Sequence, residues 1–327
     1  MRKWLDIFVD DFTEVRILAN NATFSGYFRD YDNLIRQMRS LGSVEGAQCY
    51  FVLNQIAGAC YGRAQCERFI RKAKQTTTDN DIVRRRWVLI DLDPKRPAGV
   101  NSSDEELECA HRKALTVYKD LRQFGFSDPV VAMSGNGYHL LYKVDMEADG
   151  TKELIKSFLN CLSVRYGDDK VDVDEKVFNA GRICKLYGTT AKKGANIQGR
   201  PWRKSELVLV PGTIGTTDIQ VFSSYVDTFK VVMEPVSRPA SNYERFTLQG
   251  FMQKHGIRVY KEIHVSDGIR YKLEECPFDP THKNGDAALF ESNDGKVGFN
   301  CFHNSCNGKR WHDVRELFEP GYKERAE

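Results

Sequence analysis

The sequence predicts an α+β fold: a larger domain in which helices cover a sheet, and a small metal-binding domain after it. Over residues 1–235, apolar runs typical of strands alternate with segments of helical periodicity. A stretch that contains prolines and serines begins at Pro235 and is typical of a linker, which we place at 236–245. Beyond it, cysteines and histidines cluster within 246–327. These observations predict two domains of unequal size.

Short elements fill the amino-terminal part of the larger domain. In order, we predict a strand at 15–18, a loop at 20–26, a helix at 32–41, a strand at 49–53 and a helix at 63–74. Leu34, Ile35 and Met38 share one face of the helix at 32–41, and Gly42 can end it.

The next strand ends on two aspartates. Arg84–Arg86 lead into an apolar run, and Asp91 and Asp93 stand at its far end before Pro94. Side chains alternate along a strand, so both carboxylates point to the same side. Neighbouring carboxylates repel each other, and the usual remedy is a divalent cation bound by oxygen ligands. The alternative is a solvated Asp-Pro turn.

A long helix and another helix further on are predicted on either side of a hairpin. Ser103 and Glu106 have the spacing of a capping box, and Gly125 can end the helix that they begin. A second helix is predicted at 151–166, where apolar residues recur at helical spacing. Strand, helix and strand in this order indicate helices that cover a sheet.

The hairpin is predicted from Asn-Gly between strands at 129–133 and 138–144. Glycines in its loop, which consists of Ser134, Gly135, Asn136 and Gly137, favour a concavity of free backbone N–H groups that can hold a phosphate. His139 follows directly and can donate to a phosphate oxygen or bind a metal. An ordinary turn, with His139 as a strand residue, is the alternative.

A second acidic pair, Asp172 and Asp174, follows the helix at 151–166. Two-metal phosphoryl transfer requires carboxylates that converge from separate strands, so one of the two could complete a site with the first pair. Alternatively, Asp174 only favours the dipole of a following helix. Arg182 and Lys185 would share a face of that helix and could neutralise phosphates, or they are surface charges.

The carboxyl-terminal cluster has the spacing of a zinc ribbon. Five residues separate Cys276 from His282, and four separate Cys301 from Cys306, with two predicted strands between the pairs. Four ligands on two knuckles indicate tetrahedral zinc, with His303 as an alternative fourth ligand. A fully occupied four-ligand site leaves no position for water, so the zinc is expected to be structural.

Composition and charge narrow the class of protein. The 327 residues are 41% hydrophobic and 28% charged, as in an ordinary globular protein, and no run has the length and apolarity of a membrane span or signal peptide. The net charge of +3 identifies no partner, but basic clusters at Arg84–Arg86, Lys192-Lys193 and 200–204 point to anionic ones. Nine cysteines, three of them in the cluster, favour a reducing compartment, so we expect a cytoplasmic protein.

Three stretches together resemble the archaeo-eukaryotic primase superfamily. Trp87–Asp93 is similar to its acid-x-acid strand, Ser134–His139 to its Ser-x-His-type element, and Asp174–Arg182 to the segment with its later acidic residue. Lys185–Thr189 has the Lys-Leu-x-Gly-Thr sequence of primases and primase-polymerases from phages, plasmids and other mobile elements, including those linked to CRISPR loci. The resemblance covers most of residues 10–210, and the zinc element also looks like one that accompanies such primases.

The resemblance implies a catalytic core with an RRM-like mixed sheet and flanking helices, plus a zinc ribbon. It implies a template-dependent nucleotidyltransferase, a DNA primase or primase-polymerase, that starts and extends primers on single-stranded DNA from nucleoside triphosphates by two-metal phosphoryl transfer. Asp91, Asp93 and Asp174, preferred over Asp172, would hold two Mg²⁺ or Mn²⁺ ions. The residues implied to bind nucleotide or template phosphates are Ser134, Gly135, Asn136, His139, Arg182 and Lys185. Arg84–Arg86 are too far along the strand to reach the metals and are expected to hold template or structure.

Two other classes of protein also fit the residues. A metal-dependent nuclease needs clustered aspartates too, although a hairpin suited to a triphosphate argues against it. A noncatalytic replication-initiator module would bind DNA through basic patches and zinc alone. Related primases often continue into a helicase, so two alternatives stay open: a stand-alone enzyme, for which a helicase is an expected partner, or part of a longer primase-helicase. The sequence leaves the choice between ribonucleotides and deoxyribonucleotides open.

Overall fold

The computed structural model describes residues 2–19, 22–41, 47–230, 233–235, 246–265 and 267–322. The chain forms two compact units, Met1–Ser224 and Tyr225–Glu327. The linker expected at 236–245 lies outside the described residues. A strand at Met233–Pro235 pairs with a strand of the second unit, although the sequence assigned these residues to the larger domain.

The first unit is built from helices and mostly short strands. Its helices are α1 Arg2–Phe8, α2 Tyr31–Leu41, α3 Asp104–Phe124 and α4 Lys152–Tyr166. Its strands are β1 Thr13–Ala19, β2 Ala22–Phe28, β3 Gln48–Val52, β4 Gln55–Ile56, β5 Ile70–Arg71, β6 Ile82–Pro94, β7 Val130–Met133, β8 Tyr138–Glu147, β9 Val171–Val173, β10 Ile183–Lys185, β11 Thr190–Ala191, β12 Arg203–Lys204 and β13 Glu206–Leu209.

Two larger sheets organise these strands. One has the order β10-β3-β1-β2-β5. The other has the order β13-β7-β8-β6-β4, and β9 pairs with the end of β6 that carries the aspartates. The run β6-α3-β7-β8-α4-β9 therefore has the split β-α-β-β-α-β connectivity found in RRM-like folds.

The sheets are antiparallel, so the expectation of a mixed sheet is wrong. Every pairing between named strands in the described residues is antiparallel. The physical reason is the split connectivity. The helix α3 joins β6 to β7, but β8 lies between those two strands and runs opposite to both.

The long helix α3 forms as its end signals predict. The Ser103 hydroxyl accepts a hydrogen bond from the Glu106 N–H, and the Glu106 carboxylate accepts one from the Ser103 N–H. At the other end, Gly125 has φ +112°, a left-handed conformation that glycine adopts without steric cost. Its apolar face is buried in the core of the first unit, through Ala110, Ala114, Val117 and Leu121.

Two amino-terminal expectations are wrong. Residues 22–26 of the expected loop belong to strand β2, because pairing with β1 overrides their polar start. The expected helix at 63–74 is replaced by turns and the short strand β5. There Glu67 has φ +53° and its carboxylate accepts hydrogen bonds from the backbone N–H groups of Arg29 and Asp30. A residue with positive φ interrupts a right-handed helix, so this segment cannot be continuously helical.

The β-branched and aromatic residues of Gln220–Phe222 predict a strand from the sequence, but this segment is a helix. Residues 220–222 lie in α5, Ile219–Phe229, which contains the division between the two units. Phe222, Tyr225, Val226 and Phe229 are buried at the spacing of one helical face.

The second unit is built on an antiparallel sheet with the order β14-β20-β19-β16-β15, beside a short pair β17-β18. Its strands are β14 Met233–Pro235, β15 Val259–Val265, β16 Gly268–Leu273, β17 Glu275–Cys276, β18 Asp279–Lys283, β19 Ala287–Ser292 and β20 Lys296–Cys301. Its helices are α6 Leu248–Lys254 and α7 Trp311–Phe318. Leu273, Phe299 and Trp311 are buried in one core with the clustered cysteines. Within the described residues, each helix of the protein is too short or too polar to span a bilayer.

Candidate active site

The end of β6 brings both aspartates of the first acidic pair to one cleft. Asp91 is in register with His139 on β8, and Asp93 is in register with Asp172 on β9. Leu92, between the aspartates, is fully buried. Both aspartates line a cleft of about 570 Å³, together with Asp174 and His139. Alternation along the strand therefore gives the common side that the sequence predicts.

His139 connects Asp91 to a buried tyrosine. Its Nε2 lies 3.4 Å from Asp91 Oδ1, and its Nδ1 is hydrogen-bonded to the Tyr187 hydroxyl at 2.7 Å. Burial lowers the pKa of His139, but the Asp91 carboxylate offsets this effect, and the pKa rises to about 10. Burial also raises the pKa of Asp91, and His139 reverses that shift, so the Asp91 pKa is lowered. The two groups form a buried ion pair.

The ion pair leaves Asp91 incompletely hydrogen-bonded, and the charge of Asp93 is less well compensated than that of Asp91. Asp91 Oδ1 is buried and receives no hydrogen bond from the described residues. Burial and the Asp91 charge raise the pKa of Asp93 to about 6. Its cationic neighbour Arg96 lies 3.5 Å away and is itself largely buried. A divalent cation bound by these oxygens would supply the missing counter-charge, so the residues fit such an ion.

Asp174, and not Asp172, lies in the cleft. The Asp174 N–H donates to the Asp91 carbonyl at 2.9 Å, which holds the two residues side by side. One Asp174 oxygen accepts from the Lys176 N–H, and the other lies 3.7 Å from the Arg182 guanidinium. Asp172 is 60% exposed and pairs with Lys95 at 3.2 Å. Asp174 therefore keeps its place as the third candidate ligand, and its role as a ligand stays a prediction.

The hairpin loop is tight and largely bonded to itself. Gly135, with φ +106°, and Asn136 are the central residues of the turn, and Ser134 N–H donates to the Gly137 carbonyl at 2.9 Å. The Gly137 N–H donates to Ser134 Oγ, and the Gly135 N–H donates to Met133 Sδ. The free N–H groups that the glycines suggested are thus used within the loop. Ser134 and Asn136 still line the cleft, where their contact with nucleotide remains a prediction.

Asn136 and Gly137 fix the position of the loop. The Asn136 side-chain oxygen accepts from the Ser102 N–H at 2.8 Å, so this amide ties the loop to the segment before α3. A Cβ on Gly137 would lie 2.5 Å from the Leu92 carbonyl oxygen and 2.9 Å from Asp93 Oδ1. Only glycine permits the loop to approach the aspartates this closely.

Cationic side chains occupy the remaining wall of the cleft. Arg182 precedes β10, and Lys185 ends it, so they lie on an extended segment and not on a helix. Lys185 is buried, donates to Gln48 Oε1 at 3.2 Å, and has its pKa lowered to about 8 by burial. Lys192 and Lys193 also line the cleft. The cleft is therefore lined by three carboxylates and several cationic side chains.

The three arginines at the start of β6 have structural partners. Arg84 pairs with Asp145 and Glu147, each at 2.6 Å. Arg86 pairs with Asp145 at 2.7 Å. Arg85 is buried and donates to the Phe178 carbonyl at 2.9 Å. Two roles were expected for these arginines, contact with the template or support of the fold, and the contacts in the described residues favour support of the fold.

The second unit holds a buried group of four metal-binding side chains. Atoms of Cys276, His282, Cys301 and Cys306 that can bind a metal all lie within 4.8 Å of one another. The Cys276 and Cys306 sulfurs are 3.9 Å apart, and His282 Nδ1 lies 3.4 and 3.5 Å from the Cys301 and Cys306 sulfurs. Tetrahedral zinc, with Zn–S near 2.3 Å and Zn–N near 2.0 Å, requires edges of about 3.5–3.8 Å. The group can therefore bind zinc.

His282, and not His303, belongs to this group. His303 stacks on the His282 ring with centroids 3.9 Å apart, and its Nε2 lies 3.1 Å from Asp286. The His282 Nε2 lies 3.3 Å from an Asp279 oxygen, the kind of outer partner that orients a metal-binding imidazole.

Sequence reasoning missed two residues that shape the cleft. Tyr187 holds His139, and Arg96 lies beside Asp93. Tyr187 reaches His139 from a segment 48 residues away, and within Lys185–Thr189 it occupies the variable position. Arg96 lies only three residues after Asp93, but its spacing gave no sign of a contact with the aspartate. Lys192 and Lys193 were visible as a basic cluster, but nothing in the sequence placed them at the cleft.

Comparisons with known proteins find no match by sequence and a distant similarity to solved structures. No protein-family model matches the sequence, and no curated protein matches it at a significant level. Among solved structures, the chain is similar to the catalytic domain of primase RepB' in complex with initiator DNA, at 15% identity and a TM-score of 0.38, over 68% of this chain and 90% of that one. It is also similar to primase RepB', at 15% identity and a TM-score of 0.39, over 68% of this chain and 60% of that one. Similarity of this size does not establish a shared activity.

Proposed function

We propose that the protein is a template-dependent nucleotidyltransferase, a DNA primase or primase-polymerase of the mobile-element kind, which starts and extends primers on single-stranded DNA. The observation that carries this proposal is the cleft in which Asp91, Asp93 and Asp174 lie opposite several cationic side chains. The carboxylates suit divalent cations, and the cations suit the phosphates of a nucleoside triphosphate. The sequence resemblance to primases supports the same reading.

The carboxylates would hold the ions, which are Mg²⁺ or Mn²⁺. When bound, such ions lower the pKa of an attacking 3′-hydroxyl and neutralise charge on the triphosphate and the leaving pyrophosphate. Asp91 and Asp93 are fixed by the paired strands β6, β8 and β9, and Asp174 is fixed through its N–H bond to the Asp91 carbonyl. Rigid placement of this kind is what a phosphoryl-transfer site requires.

The surrounding side chains would bind and orient the nucleotide. Arg182 is partly exposed beside Asp174, so it can reach a phosphate without leaving the site. Lys185 presents a buried ammonium group in the cleft wall, where water screens its charge less than at the surface. The Nδ1 of His139 is hydrogen-bonded to Tyr187, whereas its Nε2 lies 3.4 Å from Asp91 without a hydrogen bond. We assign His139 to pairing with Asp91 and, through Nε2, to contact with the triphosphate.

A template-extension assay tests the proposal. The protein is incubated with single-stranded DNA, labelled nucleotides and Mg²⁺ or Mn²⁺, and we expect longer products. Shortened DNA would identify a metal-dependent nuclease, and unchanged DNA would identify a noncatalytic DNA-binding module. Ribonucleotides and deoxyribonucleotides in separate reactions give the sugar preference.

Matched variants connect the activity to the cleft. Asp91→Asn and Asp174→Asn should each lower incorporation by about 100-fold or more, because metal-assisted charge stabilisation is worth several kcal/mol. Asp172→Asn is the control, since Asp172 is exposed and paired with Lys95 outside the cleft lining. Full activity of Asp91→Asn would contradict the assignment.

For the second unit we propose recognition of the template or retention of the 5′ end of a new primer. The basic residues Lys309 and Arg310 follow the last cysteine of the zinc-binding group. Replacing both with alanine should then reduce initiation on bare template more than extension of an annealed primer. An equal loss in both reactions, or no loss in either, would refute this role.

A further inference from the structure

A basic arm next to the cleft carries an exposed tryptophan. We define the arm as residues 190–204, that is β11, β12 and the loop between them. At its base, Lys192, Lys193 and Gly194 line the cleft. Trp202 is 38% exposed, and its indole N–H donates to the Gly194 carbonyl at 3.0 Å. The indole is therefore hydrogen-bonded to a residue that lines the cleft.

The arm is held firmly in place. Arg200 donates two hydrogen bonds to the Glu106 carboxylate, at 2.7 and 2.8 Å. Arg203 pairs with Asp104 at 2.6 Å, so two arginines fasten the arm to the start of α3. The backbone N–H of Trp202 donates to Asn196 Oδ1 at 2.9 Å. A ring fixed in this way loses little conformational freedom when a ligand stacks on it.

The basic residues of the arm fall into two groups, arginines that pair with carboxylates and lysines that do not. Arg200 and Arg203 are neutralised by carboxylates. Lys192, Lys193 and Lys204 have no carboxylate within ion-pair distance in the part of the chain that the structure describes. The Lys192 ammonium lies 5.5 Å from the Trp202 ring centroid, within cation–π range. The arm therefore carries lysines without an ion pair, and one of them, Lys192, lies beside the Trp202 ring.

Single-stranded polynucleotide is the ligand that matches both features. Its unpaired bases offer π faces for the indole, and its phosphates offer charge for the lysines. The bases of a duplex are already stacked on one another and offer no free face. Exposed tryptophan is also costly in water, which favours a partner that covers it.

We propose that this arm holds the single-stranded DNA template where it meets the cleft, with Trp202 stacked on a base and the lysines against the phosphates. The proposal deepens the function proposed above and rests on it for the identity of the strand as a template.

Binding of a labelled single-stranded oligonucleotide, followed by fluorescence anisotropy without nucleotides, tests this surface. Trp202→Ala should raise Kd about 5- to 150-fold, the range that base–aromatic stacking supports. Trp202→Phe should recover most of the affinity, because it restores a ring. Ile197→Ala is the control, since Ile197 is 50% exposed on the same arm but has no π face, and its Kd should stay at the wild-type value.

The charge component is tested separately. Lys192→Met should reduce the slope of log Kd against log salt concentration by about 0.7, the value for one lost phosphate contact on a single strand. An unchanged Kd for Trp202→Ala, or an equal loss in Ile197→Ala, overturns the stacking role. An unchanged salt slope overturns the role of Lys192.

The two proposals fail in different ways. If the wild-type protein extends primers but Trp202→Ala binds DNA normally, the arm is not the template surface, and the polymerising function stands. If the wild-type protein never extends a primer but Trp202→Ala still loses single-stranded DNA, the surface stands as a DNA-binding site, and its template role is refuted.

Discussion

Gly137 gives the sharpest test of how the candidate site is positioned. A Cβ at this residue would lie 2.5 Å from the Leu92 carbonyl oxygen, whereas carbon–oxygen contacts need about 3.3 Å, so Gly137→Ala must separate the loop from β6 by about 0.8 Å. The same Cβ would lie 2.9 Å from Asp93 Oδ1, so the aspartate must move as well. The Gly137 backbone is not left-handed, and the substitution therefore acts through this contact alone.

The expected magnitude follows from that displacement. A misplacement of about 1 Å at a reacting centre costs roughly 100-fold in rate, so kcat/KM for nucleotide incorporation should fall by about that factor. Overpacking should cost about 1–3 kcal/mol of folding free energy. Primer extension under steady-state conditions gives the first quantity, and urea denaturation gives the second.

A matched glycine separates the local effect from a general one. Gly212→Ala is the control, because a Cβ there meets nothing within 4 Å, and we expect wild-type activity and stability. If Gly137→Ala retains full activity, the aspartates are not the reacting centre or the loop does not position them. If both variants lose activity equally, the close approach is not the cause.

Other expectations concern single groups. Tyr187→Phe should lower the free energy of unfolding by about 1–3 kcal/mol, because it leaves a buried histidine nitrogen without its partner. It should also lower kcat, because His139 then loses the bond that orients it beside Asp91; an unchanged kcat would remove Tyr187 from the site. His282→Ala should abolish bound zinc, measured by elemental mass spectrometry, while His303→Ala should retain it; the opposite pattern would exchange their roles. Burial lowers the pKa of Lys185 from 10.5 to about 8, so the unfolded chain binds more protons between these values and the folded protein gains stability as pH rises through them. Lys185→Met should remove that gain, up to about 3 kcal/mol, in urea denaturation at pH 8 and pH 10; a pH dependence equal to that of the wild type would show that Lys185 is not a buried ammonium.

The sequence predicted elements whose signals are local. The capping box of Ser103 and Glu106 marked the start of α3, and the glycine after it marked the end. The acidic strand was also recognisable, because an apolar run that ends in alternating carboxylates is itself a local pattern. In α5, by contrast, β-branched and aromatic residues suggested a strand, although Phe222, Tyr225, Val226 and Phe229 have helical spacing. Here the helical spacing of the apolar residues, and not their strand propensity, agrees with the structure.

The candidate site shows the same limit. Asp91, Asp93 and His139 could be named in advance because strand alternation and a hairpin bring them together. Tyr187 could not, since its hydroxyl reaches His139 from a segment 48 residues away. The N–H groups of both loop glycines, which were expected to be free, are used as well, because Met133 and Ser134 accept their hydrogen bonds. Side-chain acceptors of this kind are decided by packing, which sequence spacing does not specify.

The close spacing of the zinc-binding sulfurs has a consequence for the metal-free protein. With 3.9 Å between the Cys276 and Cys306 sulfurs, a shift of about 2 Å brings them to the length of a disulfide bond. Loss of the ion would expose these thiols to oxidation, and a bond between them would remove two ligands and prevent the ion from returning. Aerobic handling without a reductant should therefore convert the second unit to a zinc-free disulfide form, which non-reducing peptide mapping would reveal and a thiol reductant with added zinc would reverse.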